Sequence, residues 1–98
     1  MDILIYTKPE VVEHKMKENC SQLSECYWYV SVYPKDDSKV ENIYFSDGER
    51  IFAKGAFLGS DYEYIDKLKK ILCFKPLERI NKKQPKKPPK RGWCYINK

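Results

Sequence analysis

The stretch from residue 26 to residue 33 predicts a β-strand more strongly than any other part of the sequence, because its side chains alternate with a period of two. One side collects apolar residues and the other collects tyrosines, as expected for a strand with one buried face. Aromatic residues make up 14% of the chain and fit best on the pleated surface of a sheet. The two sides are Cys26, Trp28, Val30 and Val32, and Tyr27, Tyr29, Ser31 and Tyr33.

Further elements follow from local patterns on both sides of this strand. Residues 2–7 read as a buried strand, and Thr7 with Pro9 predicts the start of a helix that runs through residue 20. Asp47-Gly48 is typical of a tight primed turn, in which both central residues have positive φ, so residues 40–45 and 50–58 are predicted to form a hairpin. Gly55 inside the second arm suggests a bulge or a close backbone approach.

The second half of the chain is expected to add one helix and three extended segments. Residues 60–70 have helical spacing of apolar residues, whereas residues 71–74 read as a strand that can continue through residues 77–80. Residues 93–96 are apolar enough to form a closing strand. Because 98 residues allow one core, we predict a single α+β, β-rich domain over 1–98, a small mixed β pseudobarrel with one or two short helices.

Charge is distributed unevenly along the chain. Residues 1–66 contain 7 Lys/Arg against 13 Asp/Glu, whereas residues 67–98 contain 12 against 1. Residues 81–92 form a predicted basic loop rich in proline and lysine, and the closing strand is expected to tether its far end. Such a cationic segment attracts phosphates. The simpler interpretation of the same segment is a lysine-rich surface that contacts only solvent.

Nucleic-acid binding is therefore the leading functional hypothesis, with RNA as the expected partner. Lysines and arginines of the basic loop would neutralise phosphates, and rings on the sheet would stack unpaired bases. For the tyrosines and tryptophans, packing in the core is the competing interpretation. The predicted interface residues are Arg50, Lys54, Lys75, Arg79, Lys82, Lys83, Lys86, Lys87, Lys90, Arg91, Tyr27, Tyr29 and Trp93.

Other chemistry has less support in the sequence. The four cysteines include no closely spaced pair and the only histidine is His14, so neither a metal site nor a cofactor is expected. The chain begins without a signal peptide and has no apolar run that could cross a membrane, so we expect a cytoplasmic protein with reduced, mostly buried thiols. No catalytic motif is present, and an enzyme is less expected than a binding module.

Residues 3–9 combine an opening strand with Lys8-Pro9 before a predicted helix, and three more segments follow in order, residues 46–51, 51–57 and 71–77. In this order the four segments resemble the PUA-like group of small β-barrels, which includes the ASCH and EVE domains. The resemblance implies a pseudobarrel whose relatives bind RNA, or modified bases, in a cleft beside the first helix. The chain lacks the Gly-x-Lys-x-x-Glu-x-Arg signature of ASCH domains, so the resemblance implies binding of the nucleic-acid backbone and neither nuclease-type nor base-pocket activity. Its short, Lys-, Ile- and Tyr-rich sequence is similar in style to small archaeal families.

Three alternatives to RNA binding stay open at this point. An accessory subunit could dock its Pro/Lys-rich segment on a protein partner as a polyproline helix. A small nucleic-acid-processing enzyme would need Asp47 and Glu49 beside cleft lysines. An architectural protein would bind duplex DNA through the same cations.

Overall fold

The structure is a computed structural model that describes residues 2–15, 26–35, 37–64, 66–83 and 93–96. These residues form seven strands, one α-helix and a short 3₁₀ helix at Asp37–Lys39. The prediction of a β-rich chain is confirmed. In chain order the elements are β1 (Asp2–Tyr6), α1 (Pro9–Lys15), β2 (Cys26–Val30), β3 (Asn42–Ser46), β4 (Arg50–Tyr64), β5 (Leu68–Phe74), β6 (Glu78–Lys83) and β7 (Trp93–Ile96).

The strands form one sheet in the order β2-β5-β4-β3-β1-β7, and β6 pairs with the first part of β4. β1 and β3 are parallel, and the other pairs are antiparallel. A parallel pair requires a crossover connection, which here contains α1 and β2. The predicted closing strand is confirmed, because β7 pairs with β1 from Asp2 opposite Ile96 to Ile5 opposite Trp93.

The predicted pseudobarrel is not closed in the part of the chain that the structure describes. β2 and β7 are the outer strands of the sheet and do not pair with each other. One hydrogen bond that spans the gap runs from the indole N–H of Trp93, which donates to the Val32 carbonyl oxygen at 3.0 Å. β2 has already ended at Val30 at this point, so no strand ladder continues across the gap. We call this gap between β2 and β7 the seam.

The 15-residue strand β4 joins the two ends of the sheet. Its first half pairs with β3 and β6, and its second half pairs with β5, with register shifts that let it bend. Gly55 lies where a Cβ atom would come 2.8 Å from Leu77 Cδ2 and 2.9 Å from the Lys75 carbonyl oxygen. The predicted close approach at Gly55 is therefore confirmed.

Two apolar clusters lie on opposite faces of the sheet. The main core contains Val12 of α1 and Phe45 of β3, and Trp28 and Trp93 pack against its edge. The smaller cluster, on the other face, contains Leu4, Tyr44, Ile51 and Ile96. The remaining buried residues of the main core are Ile3, Ile5, Cys26, Val40, Ile43, Ala53, Leu72, Phe74 and Leu77.

The helix predicted over residues 60–70 is wrong. β4 continues to Tyr64 and β5 begins at Leu68, with Tyr62 opposite Lys70 and Tyr64 opposite Leu68. These residues form an extended hairpin arm, because aromatic and aliphatic side chains at alternating positions can pair across the two strands. Of the predicted first helix, residues 9–15 are helical, and residues 16–20 lie outside the described residues.

Three further predictions need correction. The hairpin at Asp47-Gly48 is confirmed, but the two central residues do not both have positive φ as expected, because only Gly48 does, at 106°. The strand expected over 26–33 ends at Val30. In the predicted basic loop, residues 81–83 belong to β6, and residues 84–92 lie outside the described residues.

The cysteines are not uniformly reduced as expected. Cys26 is buried and disulfide-bonded, whereas Cys73 and Cys94 keep their thiols. Among the described residues, no helix is both long and apolar enough to cross a membrane.

Candidate nucleic-acid interface

An aromatic cleft of about 720 Å³ opens at the seam. Its walls come from the end of β1, the start of α1, β2 with the residues that follow it, and the first residue of β7. A cleft of this volume falls in the usual range for small-ligand sites. The lining residues are Ile5, Tyr6, Thr7, Lys8, Val11, Trp28, Tyr29, Val30, Ser31 and Trp93.

Local structure holds the two cleft tryptophans in place. Trp28 meets Phe45 of the main core edge to face, with ring centroids 5.1 Å apart. Trp93 meets Tyr95 in the same way at 5.0 Å, and its indole N–H is occupied by the Val32 carbonyl. What Trp93 can offer a ligand is therefore its apolar ring surface, which favours stacking over hydrogen bonding.

The cleft is lined by two of the predicted interface residues and by several residues that the sequence did not indicate. Trp93 and Tyr29, two of the predicted interface residues, line the cleft, whereas Tyr27 contacts Tyr29 edge to face at 5.4 Å and is not among the lining residues. Trp28, interpreted as core, lines the cleft as well as packing on the core. Tyr6 and Lys8 were missed, because only the fold shows that the end of β1 faces β2.

Predicted cations lie along β4 and β6, on both faces of the sheet. On the face of the smaller apolar cluster, the Nζ atoms of Lys54 and Lys82 lie 6.0 and 5.9 Å from the centroid of the Tyr44 ring. Arg50 is opposite Lys83 in the register, and its Nε donates to Asn81 Oδ1. All of these residues except Lys54 lie at the end of the sheet that holds the β3–β4 turn.

Two predicted cations have different surroundings. Arg79 forms an ion pair with Glu13 of α1, which raises the pKa of Arg79 above its usual value. This exposed pair joins α1 to β6 and reduces the charge that Arg79 could offer to a phosphate. Lys75 is exposed in the connection between β5 and β6. Lys86, Lys87, Lys90 and Arg91 lie outside the described residues.

Tyr29 stands at the junction of the cleft and the hairpin arm. Its hydroxyl donates to Glu63 Oε2 at 2.5 Å, which raises the pKa of Tyr29 by stabilising the protonated phenol. The Nζ atom of Lys69 lies 5.2 Å from the centroid of the same ring. Tyr29 is still 44% exposed, so one part of its ring remains accessible from solvent.

The acidic residues considered for catalysis serve the β3–β4 turn. One carboxylate oxygen of Asp47 accepts the backbone N–H groups of Glu49 at 2.9 Å and Arg50 at 3.0 Å. These hydrogen bonds lower the pKa of Asp47, chiefly through Arg50 and then Glu49. Within the described part of the chain, no group of three or more His, Cys, Asp or Glu residues could hold a metal ion.

Comparison with known proteins adds no relative to this description. No protein-family model, no curated protein and no solved structure matches the chain.

Proposed function

We propose that this protein binds single-stranded RNA, with an unpaired base in the aromatic cleft and neighbouring phosphates on the cations of β4 and β6. The observation that carries the proposal is that both features occupy the same end of the sheet. Tyr6 of β1 is paired with Ser46 of β3, Ser46 with Ile51 of β4, and Ile51 with Lys82 of β6. Three strand spacings separate the backbone of Tyr6 at the rim of the cleft from the backbone of Lys82, about 14 Å in all. The side chain of Lys82 lies on the face of the smaller apolar cluster, so the RNA strand would pass around this end of the sheet.

Physical chemistry assigns different tasks to the two features. Stacking of a base on an aromatic side chain contributes about 1 to 3 kcal/mol and tolerates any base. Each phosphate neutralised on a single strand adds about 0.7 to the slope of log affinity against log salt concentration. Binding of this kind is salt-sensitive and has little sequence preference.

A single strand suits this geometry better than a duplex. Bases in a duplex are stacked and paired, so a ring can enter a cleft only after it is flipped out at a cost of a few kcal/mol. The cleft beside α1 is also where the PUA-like resemblance implies a ligand, and we keep membership of that group as part of the proposal. Asp47 is occupied by its own turn, which does not favour the enzyme alternative.

The cationic half of the proposal can be tested by charge reversal. We expect Lys82→Glu with Lys83→Glu to weaken binding of a ten-nucleotide oligouridylate at least tenfold at low salt, and to lower the salt slope by about 1.4, since two phosphates lose their cations. Reversal of Lys86 and Lys87 as well should weaken binding further. Fluorescence anisotropy at several salt concentrations measures both quantities.

The matched control is Lys35→Glu with Lys39→Glu, which makes the same charge change at exposed positions that do not line the cleft. The aromatic half is tested by Val11→Trp, because Val11 is 43% exposed and lines the cleft, so a larger side chain fills the space without disturbing the core. This variant should lose the preference for the oligouridylate over a ten-base-pair duplex. Equal weakening by the control pair, or an unchanged preference in Val11→Trp, would contradict the proposal.

A further inference from the structure

A second groove continues the aromatic cleft on the side away from β6. It has a volume of about 400 Å³ and lies between the end of β2 and the start of β5. Tyr29, Val30 and Ser31 line both the cleft and this groove, so the two spaces share a wall. The other lining residues are Lys67, Leu68, Lys69 and Lys70. We call this space the lysine groove.

Two lysines of the groove direct their ammonium groups to the end of β2. The Nζ atom of Lys69 lies 5.2 Å from the Tyr29 ring centroid, and that of Lys70 lies 5.3 Å from the Tyr33 ring centroid. Lys70 Nζ is also 3.5 Å from the carbonyl oxygen of Ser31. They come from opposite faces of β5, because adjacent residues in a strand alternate. Each of the two ammonium groups therefore lies against a different tyrosine ring, and both lysines line the groove.

Among the residues that the structure describes, the lining of the groove contains three lysines and no acidic residue, which makes the groove cationic. Lys67 and Lys69 also share a small pocket with Glu63 and Asp66, so the charges of both lysines are partly compensated. Glu63 lies opposite Lys69 in the register and accepts the hydroxyl of Tyr29 at 2.5 Å. Lys70 does not line that pocket, and its ammonium group faces the carbonyl oxygen of Ser31.

We infer that the lysine groove binds backbone phosphates of the nucleotides next to the one whose base occupies the aromatic cleft. The inference rests on the proposed function and extends it to the path of the strand. A strand that places a base between Trp28 and Trp93 has two directions in which to leave. One leads to the cations of β4 and β6, and the other passes Tyr29 and Ser31 into the lysine groove.

The test replaces both lysines with neutral residues of similar length. Lys69→Gln with Lys70→Gln should weaken binding of the ten-nucleotide oligouridylate about tenfold at low salt and lower the salt slope by about 1.4, the value for two phosphates. The charge-preserving pair Lys69→Arg with Lys70→Arg should bind within about threefold of the unaltered protein, because arginine also contacts phosphate well. Lys35→Gln with Lys39→Gln is the control for loss of two charges elsewhere.

A second probe separates the groove from the cleft. Uridine has a base but no phosphate, so its effect on the NMR signals of the indole N–H groups of Trp28 and Trp93 should be the same in the Lys69→Gln, Lys70→Gln protein as in the unaltered one. A shift that is lost in this variant would mean that the lysines shape the cleft, which would overturn the inference. Loss of oligouridylate binding in the arginine pair would overturn it for the same reason.

The two proposals fail in different ways. If the glutamine pair binds the oligouridylate as the unaltered protein does while reversal at Lys82 and Lys83 weakens it, the inference is wrong and RNA binding stands. If the unaltered protein does not bind the oligouridylate, both proposals are wrong.

Discussion

Asp47 organises the turn between β3 and β4 through its side chain. Its carboxylate accepts two backbone N–H groups, those of Glu49 and Arg50. These side-chain hydrogen bonds add to a backbone hydrogen bond of the same turn, from the Asp47 N–H to the Arg50 carbonyl oxygen at 3.2 Å. Because Arg50 begins β4, the turn also sets where the longest strand of the sheet starts.

We expect Asp47→Ala to lower the free energy of unfolding by about 1 kcal/mol at pH 7, the usual net value for hydrogen bonds at an exposed turn. Asp47→Asn keeps an acceptor oxygen and should cost less. Urea unfolding followed by circular dichroism measures both differences. A loss as large in the asparagine variant as in the alanine variant would show that charge, and not the hydrogen bonds, stabilises the turn.

Asp47 also makes the free energy of unfolding depend on pH. Folding lowers the pKa of Asp47 below its ordinary value of 3.8. A lowered pKa means that the stabilisation is present above pH 4 and is lost as the pH falls through the folded-state pKa. The difference in stability between the unaltered protein and Asp47→Ala should therefore shrink below about pH 4. A constant difference from pH 7 to pH 2.5 would contradict this.

Sequence patterns predicted the site of this turn but not its geometry. Asp-Gly indicated a primed turn, whereas the positive φ is confined to Gly48. Asp47 does not have positive φ, and its carboxylate accepts the backbone N–H groups two and three residues further along, which provides another way to reverse the chain. Side-chain hydrogen bonding of this kind depends on local coordinates and leaves no pattern in residue type.

At the scale of elements, the packing of β4 against the connection after β5 depends on Gly55. A Cβ atom at Gly55 would meet Leu77 and the Lys75 carbonyl at less than 3.0 Å, and Leu77 is buried with little room to move. We expect Gly55→Ala to lower the free energy of unfolding by about 1 to 3 kcal/mol, as overpacking does in a filled core. Ala56→Ser at the neighbouring exposed position should stay within about 0.5 kcal/mol of the unaltered protein.

Thermal and urea unfolding of these two variants test the packing of the connection after β5 against β4. A cost below 0.5 kcal/mol for Gly55→Ala would show that the backbone near Lys75 moves away easily. The result is independent of any ligand, so it tests the fold alone.

Most strands were predictable because their alternation or their flanking turns are local. The helix predicted over residues 60–70 was wrong for a physical reason. Leu68 and Leu72 are four residues apart, and a spacing of four places side chains on one face of a helix and also on one face of a strand. The alternation of Tyr62 and Tyr64 was the feature that distinguished the two, because it matches a period of two only.

At the scale of the whole molecule, the cleft was only partly predictable. Its tryptophans, Trp28 and Trp93, are far apart in sequence. They line the same cleft because β2 and β7 are the two outer strands of the sheet and lie on either side of the seam. The cations of β6 were predicted by residue type, but their position beside Arg50 follows from the β4–β6 register. Sequence therefore indicated the kinds of residue in the interface, and topology determined which of them meet.

The seam gives the molecule one local weakness that can be measured. β2 and β7 do not pair, and the hydrogen bond from Trp93 Nε1 to the Val32 carbonyl oxygen joins the two walls of the cleft. Trp93→Phe removes the donor and keeps an aromatic ring. Val32 is 61% exposed, so water can replace the lost partner and the global cost should stay near or below 1 kcal/mol.

Hydrogen exchange followed by mass spectrometry should detect the local effect that a global measurement misses. In Trp93→Phe we expect faster exchange in β2 and β7 and unchanged exchange in β3, which lies inside the sheet, because local opening involves the least protected elements first. Tyr33→Phe is the matched control, since it removes a side-chain hydrogen bond to the Asp61 carbonyl oxygen near the same end of β2 without crossing the seam. If exchange in β7 is accelerated to the same extent in both variants, or is accelerated in neither, the indole hydrogen bond does not hold the seam. The width of the cleft is then set by the packing of Trp28 against Phe45 and of Trp93 against Tyr95.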